Sequence, residues 1–151
     1  MSEPVSDLET HLGYWLRYVS NHVSQAFARK VEARGVTVAE WVVLRELYDA
    51  DDALPARIAE RIGMTRGAIT RLADRLLAKA LIERRDNPQD GRSQLLRLSA
   101  AGRALVPELA RLADRNDAEF FDHLTPDDRA RLERILRGVV ERRSLRAAPI
   151  D

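Results

Sequence analysis

The chain contains no cysteine. Disulfides, cysteine-based zinc sites and thiol redox switching are excluded at once. Histidine is scarce: His11, His22 and His123 stand far apart, without the spacing of metal ligands. No apolar run approaches the ~18 residues of a membrane helix. The opening "MSEPVSDLET" has no apolar core of the kind a signal peptide needs. No nucleophile sits beside a base, and no glycine loop cradles a phosphate. Carboxylates are plentiful but fall on helix starts and solvated faces. These absences lead to the expectation of a soluble cytoplasmic protein, not an enzyme, with no cofactor, no metal and no membrane partner.

What is present is globular. Hydrophobic residues are 45% and charged residues 32% of 151 positions, which argues for a packed core rather than disorder. That length suits one domain, or two small halves sharing one core. Net charge is only +1, but it is unevenly spread. Residues 1–53 carry 5 basic and 9 acidic side chains, residues 54–98 carry 10 and 5, and residues 99–151 carry 10 and 10. A polyanionic partner would feel the basic middle third first.

Periodicity predicts a mostly helical chain. Ser6 and Glu9 have capping-box spacing. Leu8, Leu12, Leu16, Val19, Val23, Phe27 and Val31 then repeat at helix steps as far as Gly35. Such a helix would span roughly 40 Å, more than a small domain is wide. Thr37 caps a second helix bearing Trp41, Val42, Leu44, Leu47 and Tyr48. Pro55 opens a short third helix with Ile58, Ala59 and Ile62 inward, and Gly63 stops it. Thr65 caps a fourth helix to about Lys79. Its stripe is Ile69, Leu72, Ala73 and Leu76, and its other face shows Arg66, Thr70, Arg71, Asp74 and Arg75. Two strands are expected at 81–85 and 94–98, with Asn87, Pro88 and Gly91 turning between them. Ser99 caps a fifth helix to about His123, with Leu105, Leu109, Leu112 and Phe120 as core candidates and a bend or loose start expected at Pro107. A sixth begins at "TPDD" and carries Leu132, Ile135, Leu136 and Val139. The tail "RRSLRAAPID" is expected to fray.

A short helix, a turn with glycine, a longer helix with a basic face and then a hairpin form a helix-turn-helix followed by a wing. A DNA major groove admits one such helix, whose first residues reach base edges. Arg66 and Arg71 suit guanine or phosphate, Thr65 and Thr70 suit base or phosphate, and Ala68 suits a thymine methyl. Gly67 keeps that surface low. The hairpin tip would meet the neighbouring minor groove, where arginine is favoured, and Arg92 is the reaching side chain. Asp90 is expected to hold it by a charge-assisted hydrogen bond.

The stretches "TVAEWVVLREL", "RIAERIGMTRGAITRLADRLLAKALIERR" and "DNPQDGRSQLLRLSAAG" together resemble the MarR (multiple antibiotic resistance regulator) family of bacterial transcription factors. The last holds the family's wing pattern in Asp86, Asp90, Arg92, Ser99 and Gly102. The likeness covers about residues 8–143. It implies a winged helix-turn-helix over residues 37–98. It also implies a helical dimerisation region made jointly by residues 1–36 and 99–151 of a homodimer. Its partner would be double-stranded DNA, a pseudo-palindrome with half-sites about one helical turn apart. Arg57, Arg75 and Arg85 would attract phosphates beside the readers Thr65, Arg66, Ala68, Thr70 and Arg71. Members usually repress, and many release DNA when a small phenolic or anionic effector binds between the two regions. Without cysteine, the thiol switch of some relatives is unavailable here.

The first helix clusters Tyr14, Trp15, Arg17, Tyr18 and His22. That wall suits an aromatic acid, but aromatics at helical spacing more often fill cores, and interface packing is the favoured reading. A winged helix used only for protein contact is the competing overall reading. It would want an apolar recognition face in place of Arg66, Arg71 and Arg75.

Overall fold

The computed structural model describes residues 2–146. Its helices are α1 (Leu12–Glu32), α2 (Val38–Tyr48), α3 (Pro55–Ile62), α4 (Arg66–Ala78), α5 (Ala100–Phe121) and α6 (Pro126–Arg142). A single antiparallel hairpin, β1 (Ile82–Asn87) and β2 (Asp90–Leu98), separates α4 from α5. The fold is thus mostly α with a small β wing, as the sequence predicts.

Local chemistry explains the middle of the chain. Thr37 Oγ1 accepts from Glu40 N at 3.1 Å, and the Glu40 carboxylate accepts from Thr37 N, completing a capping box on α2. Pro55 occupies the first turn of α3, where its missing N–H costs nothing. Gly63 ends α3 in the left-handed region at φ +73°. Thr65 Oγ1 then caps α4 by accepting from Ala68 N at 3.1 Å.

One core holds this unit together. Val43, Leu44 and Leu47 of α2 meet Ile58, Ala59 and Ile62 of α3 and Ile69, Leu72, Ala73 and Leu76 of α4. The wing enters through Ile82, Leu96 and Leu98, and α5 closes the core with Val106, Leu109 and Leu112. Ala53 forms an isolated bridge with Leu96, exchanging two hydrogen bonds of 2.9 Å, and so pins the wing to the α2–α3 connection.

Several expectations are corrected. The first helix does not start at the Ser6/Glu9 box. A short 3-10 turn over Leu8–Thr10 comes first, the chain is extended at His11, and Asp7, not Ser6, precedes the turn without a side-chain cap. At 21 residues α1 spans roughly 32 Å. The strands are longer than expected, and only Pro88 and Gln89 remain in the turn, so Gly91 lies inside β2. α5 runs unbroken through Pro107. Leu105 and Phe120 are half-buried rather than core, while Val106 and Asn116 are buried. Of the tail, residues 147–151 lie outside the described residues.

The outer helices are left with bare apolar faces. α6 buries no residue, and Leu132, Ile135, Leu136 and Val139 are all exposed. Leu12, Leu16 and Val19 of α1 are exposed too. A core-type stripe facing solvent in one chain needs a second surface.

Candidate nucleic-acid interface

α4 presents the predicted basic face. Arg66, Thr70, Arg71 and Arg75 are exposed, and none of the three arginines makes an ion pair or side-chain hydrogen bond among the described residues. Arg66 stands in the first turn, where no acidic residue balances it. A cation there opposes the positive end of the helix dipole. Placed so, guanidinium and helix terminus together favour an incoming anion.

The two threonines differ in what remains free. Thr65 Oγ1 accepts from Ala68 N, so its hydroxyl proton is available to a phosphate oxygen. Thr70 Oγ1 donates to Arg66 O at 2.9 Å, so its lone pairs face outward and suit a base amino group. Gly67 is open: a Cβ there would come only within 4.0 Å of Thr65 Oγ1. Ala68 is half-buried beside it.

The wing carries Arg92 four residues beyond the Leu96 anchor, exposed and without a side-chain partner among the described residues. The expected Asp90–Arg92 side-chain pair does not form. Asp90 Oδ1 instead accepts from Arg92 N at 3.0 Å. The acid fixes the backbone that carries the arginine and leaves the guanidinium free. Asn87 builds the turn, accepting from Gln89 N at 3.0 Å and donating to Ser93 Oγ at 3.1 Å.

The flanking cations divide. Arg57 on α3 is exposed and unpaired among the described residues, whereas Arg85 pairs with Asp52 at 2.9 Å. The two line a cavity between α3 and the wing that reaches the turn residues Asn87, Pro88 and Gln89. Sequence reasoning missed Arg84, which pairs with Asp74 of α4 at 3.2 Å and ties wing to helix. It also missed why Gly102 is required. A Cβ at Gly102 would sit 2.0 Å from the Leu81 carbonyl oxygen. Ser99 accepts from Gly102 N and donates to Ala80 O, so the Ser-x-x-Gly motif is the joint between the wing and α5.

A second cavity, about 600 Å³, lies between α1, α2 and α4. Ala28, Glu32, Val38, Met64 and Leu72 line it together with Thr65, Ala68, Arg71 and Arg75 from the basic helix. The aromatic cluster of α1 is elsewhere. Tyr14 meets Trp15 edge-on at 5.3 Å and Tyr18 at 6.1 Å, and Tyr18 stacks on His22 at 5.4 Å. Arg17 is exposed outside this ladder, and none of the five lines either cavity. Trp41 packs edge-on against Phe27 at the core margin. Among the described residues no cluster of three or more His, Asp or Glu could hold a metal, and no helix is long and apolar enough to cross a membrane.

Comparison with known proteins agrees with this arrangement. The sequence profile of the MarR family matches residues 34–93, from the α1–α2 turn to the wing. The multiple antibiotic resistance protein MarR of Salmonella typhimurium is 31% identical over 106 residues, covering 70% of this chain and 74% of that protein. The fold superposes on a cysteine-to-serine mutant of Escherichia coli MarR complexed with operator DNA, with a TM-score of 0.79, 29% identity, and coverage of 89% of this chain and 99% of that one. BpsR of Bordetella bronchiseptica, whose DNA binding is regulated by 6-hydroxynicotinic acid, gives a TM-score of 0.79 at 26% identity over 91% of this chain and 97% of that one. Helix order, wing and the two flanking helical segments coincide along nearly the whole chain, and the protein belongs to the MarR family.

Proposed function

We propose that the protein is a sequence-specific DNA-binding transcriptional regulator, a homodimeric repressor released by a small effector. The observation that carries this is the row of unpaired arginines on the cap and outer face of α4. Arg66 in particular stands where folding alone disfavours it. In this reading Thr65, Arg66, Ala68, Thr70 and Arg71 read the major groove, and Arg57 and Arg75 attract phosphate. Arg92 enters the minor groove from a backbone held by Asp90. Arg85 serves mainly to brace the wing through Asp52. Residues 37–98 form the reading domain, and residues 1–36 and 99–151 of two chains form the dimerisation region. The exposed stripes of α1 and α6 support that division. Nothing in the site resembles catalytic machinery, and the regulator's role requires none.

The effector reading is sharpened by the cavity beside α4. A small aromatic or phenolic acid there would set its ring against Val38, Met64 and Leu72 and its carboxylate toward Arg71 or Arg75. Those arginines are also DNA ligands in this reading, so effector and DNA would draw on the same charges. In the Tyr14–His22 ladder Tyr14 is half-buried and Trp15, Tyr18 and His22 are exposed in one chain, which is better suited to interface packing. In the homologue BpsR, DNA binding is regulated by a small aromatic acid, which supports the class.

The test is fluorescence anisotropy with the DNA immediately upstream of the protein's own coding region, against a scrambled duplex, at several salt concentrations. Binding ~10³-fold tighter to the upstream DNA is expected. Equal, steeply salt-dependent binding to both would reduce α4 to a basic surface and favour a protein partner.

A further inference from the structure

We infer that the peptide unit joining Asp90 to Gly91 at the wing tip is a site of spontaneous covalent modification: it closes to a succinimide and reopens as isoaspartate, which unseats Arg92. The effect on DNA binding rests on the reading proposed above, whereas the chemistry stands without it.

The sequence supplies one such unit. Asp90 is the only aspartate followed by glycine, and no asparagine is. Glycine matters because the attacking atom is its own backbone nitrogen, and the missing Cβ leaves the approach open. The fold then exposes the pair. Asp90, Gly91 and Arg92 are all exposed, and a Cβ on Gly91 would meet nothing within 4 Å. Asp86 pairs with Gln94 and Asn87 with Asp90, so Gly91, Arg92 and Ser93 bulge out of the ladder with no cross-strand residue facing them.

Two hydrogen bonds prepare the reacting groups. Asp90 Oδ1 accepts from Arg92 N at 3.0 Å, which curls the carboxyl back over the intervening Gly91 peptide. Ser93 Oγ donates to the Asp90 carbonyl oxygen at 3.2 Å. That oxygen shares the negative charge of the Gly91 nitrogen as its proton departs, so the serine stabilises the nucleophilic form. Asn87 Nδ2 donates to Ser93 Oγ at 3.1 Å and leaves the serine proton for the carbonyl.

The step balances without a co-reactant. The Gly91 nitrogen bonds to Cγ of the protonated Asp90 carboxyl, and the carboxyl hydroxyl leaves with the amide proton as water. Water then opens the ring at either carbonyl. Opening at the backbone carbonyl routes the chain through Cγ and leaves a carboxylate on Cα, which is isoaspartate. The main chain gains one methylene, about 1.5 Å of extra reach. The side-chain acceptor that fixed the Arg92 backbone is gone. The wing thus carries a limit on its own working life as a groove reader.

The test holds the full chain for several days in warm, mildly acidic buffer. Isoaspartate is measured by the methyl groups that a protein isoaspartyl methyltransferase transfers to it, located by peptide mapping, and the succinimide by the loss of one water in intact mass. Anisotropy with the upstream DNA is run on the same samples, each against its fresh counterpart. Label is expected at Asp90, with affinity of the modified fraction down on the order of tenfold, the effect of losing one groove arginine. Gly91→Ala has room for its Cβ and no positive φ to strain it, and is expected to label several-fold more slowly. Ser93→Ala is expected to slow labelling too, and faster labelling would overturn the part given to the serine. No label at Asp90, or equal labelling of Gly91→Ala, would overturn the site. Label at Asp90 with unchanged affinity would overturn the unseating of Arg92. Fresh protein that binds upstream and scrambled DNA alike would sink the DNA reading, and the methyl label would still decide the chemistry.

Discussion

Lys79 spends all three ammonium protons on two partners. Its Nζ reaches Glu40 Oε2 at 2.7 Å and Oε1 at 2.9 Å, and the Gly35 carbonyl at 2.8 Å. Glu40 is 1% exposed, and Lys79 is the C-cap of α4. The pair therefore bolts the end of α4 to the start of α2 and to the turn that leaves α1. Breaking it orphans a buried carboxylate. Lys79→Met is expected to cost about 2–3 kcal/mol, at or below the usual range for a broken buried pair because the Lys79 side chain is itself 38% exposed. Glu40→Gln should cost less, since the amide oxygen still accepts from Lys79. Urea unfolding at constant m-value reads both, and an unmoved midpoint for Lys79→Met would show the bolt to be idle.

Arg92→Ala should weaken operator binding and lower the magnitude of the salt slope by about 0.9 per subunit, as expected when one phosphate-type contact is lost. Because Asp90 holds the backbone N–H of Arg92 and not its guanidinium, Asp90→Ala should act differently. It should loosen the wing and reduce specific affinity with a smaller change in slope. Identical slopes for the wild-type protein and Arg92→Ala would remove this arginine from the interface.

Ala80 stands at φ +59°, the left-handed region that costs an L residue roughly 1–2 kcal/mol. Its side chain is exposed, so nothing is lost by trimming it. Ala80→Gly is expected to raise stability by about 0.5–1 kcal/mol after the added chain entropy, or about 2–4 °C in Tm at the upper end. Calorimetry checks this, and a lower Tm would mean the turn is not strained.

A small aromatic acid should displace DNA from the wild-type protein. If the cavity beside α4 holds it, Arg75→Ala should blunt that displacement more than it weakens DNA binding itself, while Tyr18→Ala should leave the response intact in chains that remain dimeric. Competition measured by anisotropy separates the two. A response lost with Tyr18 and kept with Arg75 would move the effector to the α1 ladder.

The sequence was most readable where local chemistry decides structure. Thr37, Pro55, Gly63 and Thr65 set helix ends by their own side chains or backbone freedom, and the core stripes of α3 and α4 followed from period alone. It was less readable where a partner elsewhere decides. Asp86, Asn87 and Asp90 carry no strand signature, yet cross-strand pairing draws them into the hairpin. Glu40 and Lys79 are far apart in sequence, so their bond had no local sign. Asp90 and Arg92 suggested an ion pair, but a carboxylate two residues before an N–H closes more readily on the backbone. The Ser6/Glu9 spacing matched a cap that the extended backbone at His11 bypasses.

The wing is ladder-paired from Ile82 and Leu98 out to Asp86 and Gln94 and bridged to the rest of the domain at Leu96, and Arg92 lies in the bulge between Gln94 and Asp90. From that bridge to Arg92 is at most about 13 Å along the chain. The hairpin is in effect a stiff lever with its fulcrum in the hydrophobic core. A tilt of about 10° at the fulcrum would carry the arginine about 2 Å, enough to make or lose a groove contact. A modest repacking around Leu96, Leu98 and Gly102 would therefore be read out at the DNA with the gain of a lever arm, without any rearrangement of the tip itself.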